Sequence, residues 1–217
     1  MTQLDLGLDE AGRGPILGPM VMACVALDEQ AASALSALGV RDSKSFGAGP
    51  RAHKARMALC DEIKARAVHV GVSIIEVAEI NARPGELNRL ECEHAALLIG
   101  KAPPVRRIIA DGARMFAPLG RNFPHLVAVD HAETSHVSVA AASLVAKVRR
   151  DELWLEICRR YEGEFGELLL GHAGGGYPNA ATRRFLRAYC SRYRQVPPEG
   201  RRSWPWDFVA DLVESPS

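Results

Sequence analysis

The sequence lacks a cysteine framework. Its five cysteines, Cys24, Cys60, Cys92, Cys158 and Cys190, are odd in number, widely spaced and without a CxxC pair. That excludes a disulfide scaffold and a zinc knuckle, and it fits a reducing cytoplasm. Long hydrophobic runs are also missing. No stretch approaches the ~18 apolar residues of a membrane span, and the N-terminus has no basic flank leading into an apolar segment. A soluble, unexported, cytoplasmic protein with no membrane partner is expected. Net charge is nearly absent as well, at +1, which argues against a surface that grips nucleic acid nonspecifically over its whole extent. There is no internal repeat and no low-complexity segment.

What remains is an ordinary globular composition, 47% hydrophobic and 24% charged over 217 residues, enough for one large core or one core with an appendage. The charge is unevenly spread. Between Ala180 and Arg202 stand Arg183, Arg184, Arg187, Arg192, Arg194, Arg201 and Arg202 against one acid, Glu199, a basic track that complements acids elsewhere. Leu4 to Asp9 alternates as a strand, and Val21 to Leu27 follows as a second across the turn residues of GRGPILGP. Further strands are predicted at Val68 to Ile75, Arg107 to Ala110 and Leu126 to Val129. Helices are predicted at Ala52 to Ala67, Glu86 to Lys101, Ser138 to Tyr161 and Ala180 to Tyr193. The order gives an α/β domain with a mixed sheet, residues 1–165, and a helical C-terminal extension, residues 166–217.

Asp9 and Glu10 end the first strand, Asp111 ends a later one (IIADG), and Asp130 and Glu133 follow a third (LVAVDHAE). Acids at the ends of neighbouring strands converge, and crowded carboxylates persist as anions only with cations between them. Hard divalent ions, Mg²⁺ or Mn²⁺, suit an all-oxygen donor set with no clustered His or Cys.

GLDEAGRGPILGPMV, RDSK at Arg41 to Lys44, IIADG at Ile108 to Gly112, SVAAASLVAKVRRD at Ser138 to Asp151 and GGGYP at Gly174 to Pro178 together resemble the type 2 ribonucleases H, above all ribonuclease HII. The blocks keep that family's order and spacing from residue 4 to about residue 190. The resemblance implies a ribonuclease H-like fold with a five-stranded mixed sheet. It also implies hydrolysis of the RNA strand of RNA/DNA hybrids and incision 5′ of ribonucleotides embedded in duplex DNA, by two divalent ions, giving 3′-hydroxyl and 5′-phosphate ends. Asp9, Glu10, Asp111 and a fourth acid would be the catalytic metal ligands. Gly12, Arg13 and Gly14 would bring main chain to the ribose 2′-OH while Arg13 reaches a phosphate. Lys44 would contact phosphate, and Tyr177 would pack on the sugar at the DNA side of the junction. A monomer is expected.

Ser143, Lys147 and Asp151 fall at i, i+4 and i+8 on one helix face; the three form either a salt-bridge ladder or substrate contacts, and Ser143 and Lys147 are the expected substrate-binding residues. Phe185, Tyr189 and Tyr193 repeat the spacing as the core side of the last helix. His131 and His136 have no metal-ligand pattern. Three acids compete for the fourth place: Asp130 ends its strand, Asp151 lies about three helical turns along its helix and away from the strand termini, and alignment to the family selects Glu133, where aspartate is usual; Glu133 is the expected ligand. Glutamate at that place is similar to the sister group, ribonuclease HIII, which leaves the preference between hybrids and single ribonucleotides open.

Overall fold

The computed structural model describes residues 3–40, 50–166 and 175–213. Five strands form one sheet: β1 (Asp5–Ala11), β2 (Met20–Leu27), β3 (His69–Ile75), β4 (Arg107–Asp111) and β5 (Leu126–Val129), in the order β3-β2-β1-β4-β5. β1 is antiparallel to β2 and parallel to β4, and β5 continues parallel to β4. The sheet is therefore mixed, with β1 at its centre.

β2, MVMACVAL, is buried along its whole length. Val21, Ala23, Val25 and Leu27 enter the core on one face, and Met20, Met22, Cys24 and Ala26 enter the core on the other. A strand covered on both sides has no polar face to show, hence the unbroken apolar run. The first face is covered by α1 (Glu29–Ala37), α2 (Pro50–Arg66) and the first half of α6 (Val137–Phe165). The second is covered by α4 (Leu87–Lys101), with the shorter α3 (Val77–Ala82) and α5 (Ala113–Phe116) at its margins.

The small residues at the start of α6, SVAAASLVA, are all buried. They let the helix axis approach β1 so closely that a Cβ built on Gly7 would lie 2.1 Å from the Ser138 carbonyl carbon. The far half of α6 belongs to a separate core: Trp154 and Ile157 pack with Ile16, Leu17, and Phe185, Leu186 and Tyr189 of α7 (Ala180–Tyr193). One helix thus carries both the sheet and the C-terminal segment.

Two features differ from the sequence expectation. β1 does not stop at Asp9: its ladder with β2 continues to the pair Ala11 and Val21, so both acids lie inside the strand. Three helices were not foreseen. α1 is built largely of alanine and serine and is announced only by its cap, Asp28, whose Oδ1 accepts from the Ala31 N–H at 2.7 Å; α3 and α5 span six and four residues, too few for a period to register.

The contact at Gly7 yields a direct test. Gly7→Ala would force a methyl into helix backbone that cannot yield independently, and a loss of about 1–3 kcal/mol in urea unfolding is expected.

Candidate active site

Because successive side chains of a strand point to opposite faces, Asp9 and Glu10 part company. Asp9, 6% exposed, turns toward α6, where the Ser143 hydroxyl donates to it; its Oδ1 also accepts from the Glu10 N–H at 2.7 Å. Glu10 turns toward α4 and the buried Glu91.

Asp111 ends β4, next to β1 in the sheet. Its Oδ1 accepts from the Ala132 N–H at 3.1 Å, and it shares a hydrogen bond with Glu133. The chain reaches that position through His131, which adopts left-handed backbone (φ 57), an uncommon choice for a residue with a Cβ. The short 3₁₀ turn Ala132–Thr134 follows. The turn carries Glu133 back under the strand ends to a buried place beside Asp9 and Asp111. Asp130 is exposed, and its Oδ1 accepts from Ala113 N–H at 2.8 Å, at the start of α5. Asp151 is farther along α6 among basic side chains, ion-paired with Lys147 and with Arg56 at 3.2 Å, with the His53 Nδ1 3.5 Å away. Of the three acids competing for the fourth place, Glu133 alone is drawn against Asp9 and Asp111.

The electrostatics follow from crowding. Burial, then the Asp111 and Glu133 charges, push the Asp9 carboxyl up to about 7 against the hydrogen bonds from Ser143 and Glu10. Glu10 is pushed up to about 8 by burial, then by Asp9 and Glu91, with Arg13 opposing. Asp111 is raised chiefly by burial and by Glu133. Among the described residues no three His, Cys, Asp or Glu side chains already stand in a metal-holding arrangement. The donors nonetheless suit a hard divalent cation: all are carboxylate oxygens, and Glu10 Oε2 is buried with no hydrogen-bond partner.

An open cleft of about 1010 Å³ runs from Glu10 and Asp111 past Arg13, Asn88, Met115 and His131. Arg13, expected to reach a phosphate, is here hydrogen-bonded to Glu91 and Asn88 of α4. Gly12 has φ +92, and a Cβ there would strike the Arg150 side chain at 2.6 Å. On Gly14 a Cβ would meet the Tyr177 ring at 3.0 Å. Tyr177 is half exposed and is fixed from behind: Gly176 O accepts from the Ile16 and Leu17 N–H groups at 2.9 and 3.2 Å. The structure thus brings Gly12, Arg13, Gly14 and Tyr177 into one surface next to the acids. Ser143 belongs with the acids and Lys147 with Asp151, so the polar stripe of α6 divides in two. Lys44 lies outside the described residues. Phe185 and Tyr189 are buried as expected, but Tyr193, also expected on the core side of the last helix, is exposed: it packs one side of its ring on Tyr189 and gives its hydroxyl to Glu164 at the end of α6.

Glu91, Asn88, Arg150 and Arg201 were missed as site neighbours. Glu91 could have been noticed, since it occupies the apolar stripe of α4 that also buries Leu90, Ala95 and Leu98.

A mixed five-stranded sheet flanked by helices, with acids gathered where β1 and β4 end, is the ribonuclease H-like fold of metal-dependent nucleases. The sequence model of the Ribonuclease HII family matches residues 6–205, and the chain belongs to that family of hydrolases. It is 38% identical over 215 residues to a Ribonuclease HII of Pyrobaculum arsenaticum, covering 96% of this chain and 97% of the relative. It is 33% identical over 209 residues to that of Thermococcus sibiricus, covering 91% and 87%. Among solved structures it resembles the ribonuclease H2 from Pyrococcus horikoshii (TM-score 0.80, 27% identity, 97% of both chains). The PCNA:RNase HII complex from Archaeoglobus fulgidus matches with TM-score 0.76 at 28% identity over 98% of both chains. Bst-RNase HIII in complex with Mn²⁺, 23% identical with TM-score 0.62 over 88% of this chain and 71% of that one, shares the fold.

The raised acids carry a stability consequence. A carboxyl whose folded value lies above its unfolded value of ~4 costs the fold stability as pH climbs from that value to about 7, the folded value. In a chelator at pH ~8, Asp9→Asn should therefore be more stable than wild type by about 2–4 kcal/mol, the gain vanishing toward pH ~4. Thermal melts across that range check it; an Asn variant that melts lower at pH ~8 contradicts it.

Proposed function

We propose that the chain is an endoribonuclease that hydrolyses the RNA strand of RNA/DNA hybrids and incises 5′ of ribonucleotides embedded in duplex DNA, leaving 3′-hydroxyl and 5′-phosphate ends. The observation that carries this reading is the adjacency of the acid cluster to the Gly12-Arg13-Gly14 loop and Tyr177. A nuclease that must tell ribose from deoxyribose has only the 2′-OH as a handle, and glycine backbone can approach a sugar more closely than any side-chain-bearing residue.

Asp9, Glu10, Asp111 and Glu133 would hold two Mg²⁺ or Mn²⁺ ions, which when bound would supply the positive charge for activating a water and stabilising the leaving 3′-oxygen. Ser143 orients Asp9, and the Ala132 N–H orients Asp111. The glycine loop meets the 2′-OH, and Arg13 exchanges Glu91 for a phosphate. Tyr177 packs on the deoxyribose that follows the ribonucleotide. Lys44 and Lys147 contact phosphates of the duplex. On this reading residues 1–165 form the catalytic domain, residues 166–217 are an extension packed on it, and the enzyme acts as a cytoplasmic monomer.

The test is a labelled duplex with one ribonucleotide, set beside an all-DNA duplex and a long hybrid, in Mg²⁺ and then Mn²⁺. Metal-dependent incision of the first and third substrates and none of the second is expected; equal cutting of all-DNA duplex would remove the reading. Asp9→Asn, Asp111→Asn and Glu133→Gln should each lower single-turnover rates by more than about 100-fold, whereas Asp130→Asn and Asp151→Asn stay within about tenfold. Loss with Asp130→Asn but not with Glu133→Gln would reassign the fourth ligand.

Tyr177→Ala should slow cleavage at an RNA-DNA junction more than cleavage inside a long hybrid, because a ring on deoxyribose has its partner only at the junction. Equal losses on both substrates would assign Tyr177 to folding.

A further inference from the structure

Arg201 belongs to the C-terminal segment, yet its guanidinium sits beneath the glycine loop with 0% exposure. Its Nη2 donates to Gly12 O at 2.6 Å, its Nη1 to Arg13 O at 2.9 Å and its Nε to Gly18 O at 2.8 Å. Among the described residues no carboxylate lies within ion-pair distance of it. Burial accordingly pulls its guanidinium down to about 9, Arg150 adding to the effect and Glu91 opposing it. A buried arginine that spends its donors on three carbonyls of one loop is expensive to keep, and a lysine's single ammonium cannot reproduce the fork.

The segment is itself pinned. Leu17 and Gly200 form an isolated antiparallel bridge. The Arg201 N–H donates to Ile16 O at 2.9 Å, and the Gly18 N–H to Glu199 O at 2.8 Å. Asn81 grips the other side, its Nδ2 donating to Gly200 O and its Oδ1 accepting from the Arg202 N–H, both at 2.8 Å. The Trp206 indole N–H donates to Arg201 O at 3.0 Å. Arg201 is thus fixed at both its backbone and its head.

The effect on the loop follows from planarity. In a trans peptide the C=O and the N–H of the next residue point in opposite directions, and no peptide bond described is cis. With the Gly12 and Arg13 carbonyls drawn down onto Arg201, the Arg13 and Gly14 N–H groups must aim the other way, toward the face that Arg13 and Tyr177 border. Neither N–H has a hydrogen-bond partner among the described residues. Two successive free N–H groups make a small concavity for an electron-rich oxygen.

We propose that Arg201 is a positioning residue for sugar discrimination: by holding the Gly12 and Arg13 carbonyls it presents the Arg13 and Gly14 N–H groups to the ribose 2′-oxygen. The proposal rests on the functional reading above and adds to it a residue from outside the catalytic motifs.

The test measures binding in a chelator, where no turnover intervenes, of a duplex containing one ribonucleotide and of the all-DNA duplex of the same sequence. Wild type is compared with Arg201→Lys and Arg201→Met. Wild type should prefer the ribonucleotide duplex; a wild type that binds both equally overturns the reading of the site itself. Given that preference, both variants should lose it by about tenfold, roughly one hydrogen bond, while binding all-DNA duplex as wild type does. Variants that keep the preference, or that lose affinity for both duplexes equally, overturn the role assigned to Arg201. Should neither variant fold, amide spectra of the wild type decide. The Arg13 and Gly14 N–H groups should become protected from solvent exchange on adding the ribonucleotide duplex and not the all-DNA duplex, with the Arg201 Nε–H protected throughout. The same response to both duplexes, or a rapidly exchanging Arg201 Nε–H, overturns the proposal.

Discussion

Two carboxylates at adjacent positions of a buried strand repel, and the pleat of β1 divides their surroundings by sending Asp9 to the α6 face and Glu10 to the α4 face, although the Asp9 charge still helps to raise Glu10. The rest of the site is arranged around this division. On one side Ser143 meets Asp9, and Glu133 is folded back by the left-handed turn at His131. On the other, Glu91 and Arg13 form an ion pair beneath the cleft. Asp111 stands where the two sides join, because β4 runs parallel to β1 and ends at the same edge. Parallel pairing is what allows residues a hundred positions apart to finish together.

The acids remain incompletely satisfied by the protein alone. Among the described residues their neighbours supply a few fixed donors and the Arg13 guanidinium, itself paired with Glu91, and burial with mutual repulsion holds Asp9 and Glu10 well above the usual carboxylate range. Crowded, buried carboxylates of this kind cost the fold stability. The glycine loop beside them has a different economy. It is held at several points: Arg201 grips the Gly12 and Arg13 carbonyls, while the Gly176 carbonyl and the bridge to Gly200 fix Ile16 and Leu17 just after it.

The elements legible in the sequence were those with a strong period or an unbroken apolar run: β2, α2, α4, β4, α6 and α7 all lie within a few residues of their expected bounds. The acids were legible because they follow or close short apolar runs next to turn residues, although Asp9 and Glu10 prove to lie within β1 and not past its end. The true end of β1 was not, since only its partner strand decides how far a ladder runs. The supporting residues were hidden for a related reason. Arg150 and Arg201 look like members of basic helix and tail surfaces until the tertiary fold turns them inward, and Glu91 differs from a surface acid only by sitting in an apolar stripe. Chemistry that faces a ligand leaves a motif; chemistry that holds the motif from behind is written across distant segments.

One consequence of α6 concerns mechanics. At 29 residues it is a rod of about 44 Å, clamped at one end by bare backbone contact with Gly7 and at the other by the aromatic cluster of the C-terminal segment. The rod has no internal proline or glycine before Gly163 at which to bend. The distance between the acids and the C-terminal cluster therefore behaves as a fixed gauge length. Any partner that touches both ends must match that length, because the helix offers no point at which to shorten it.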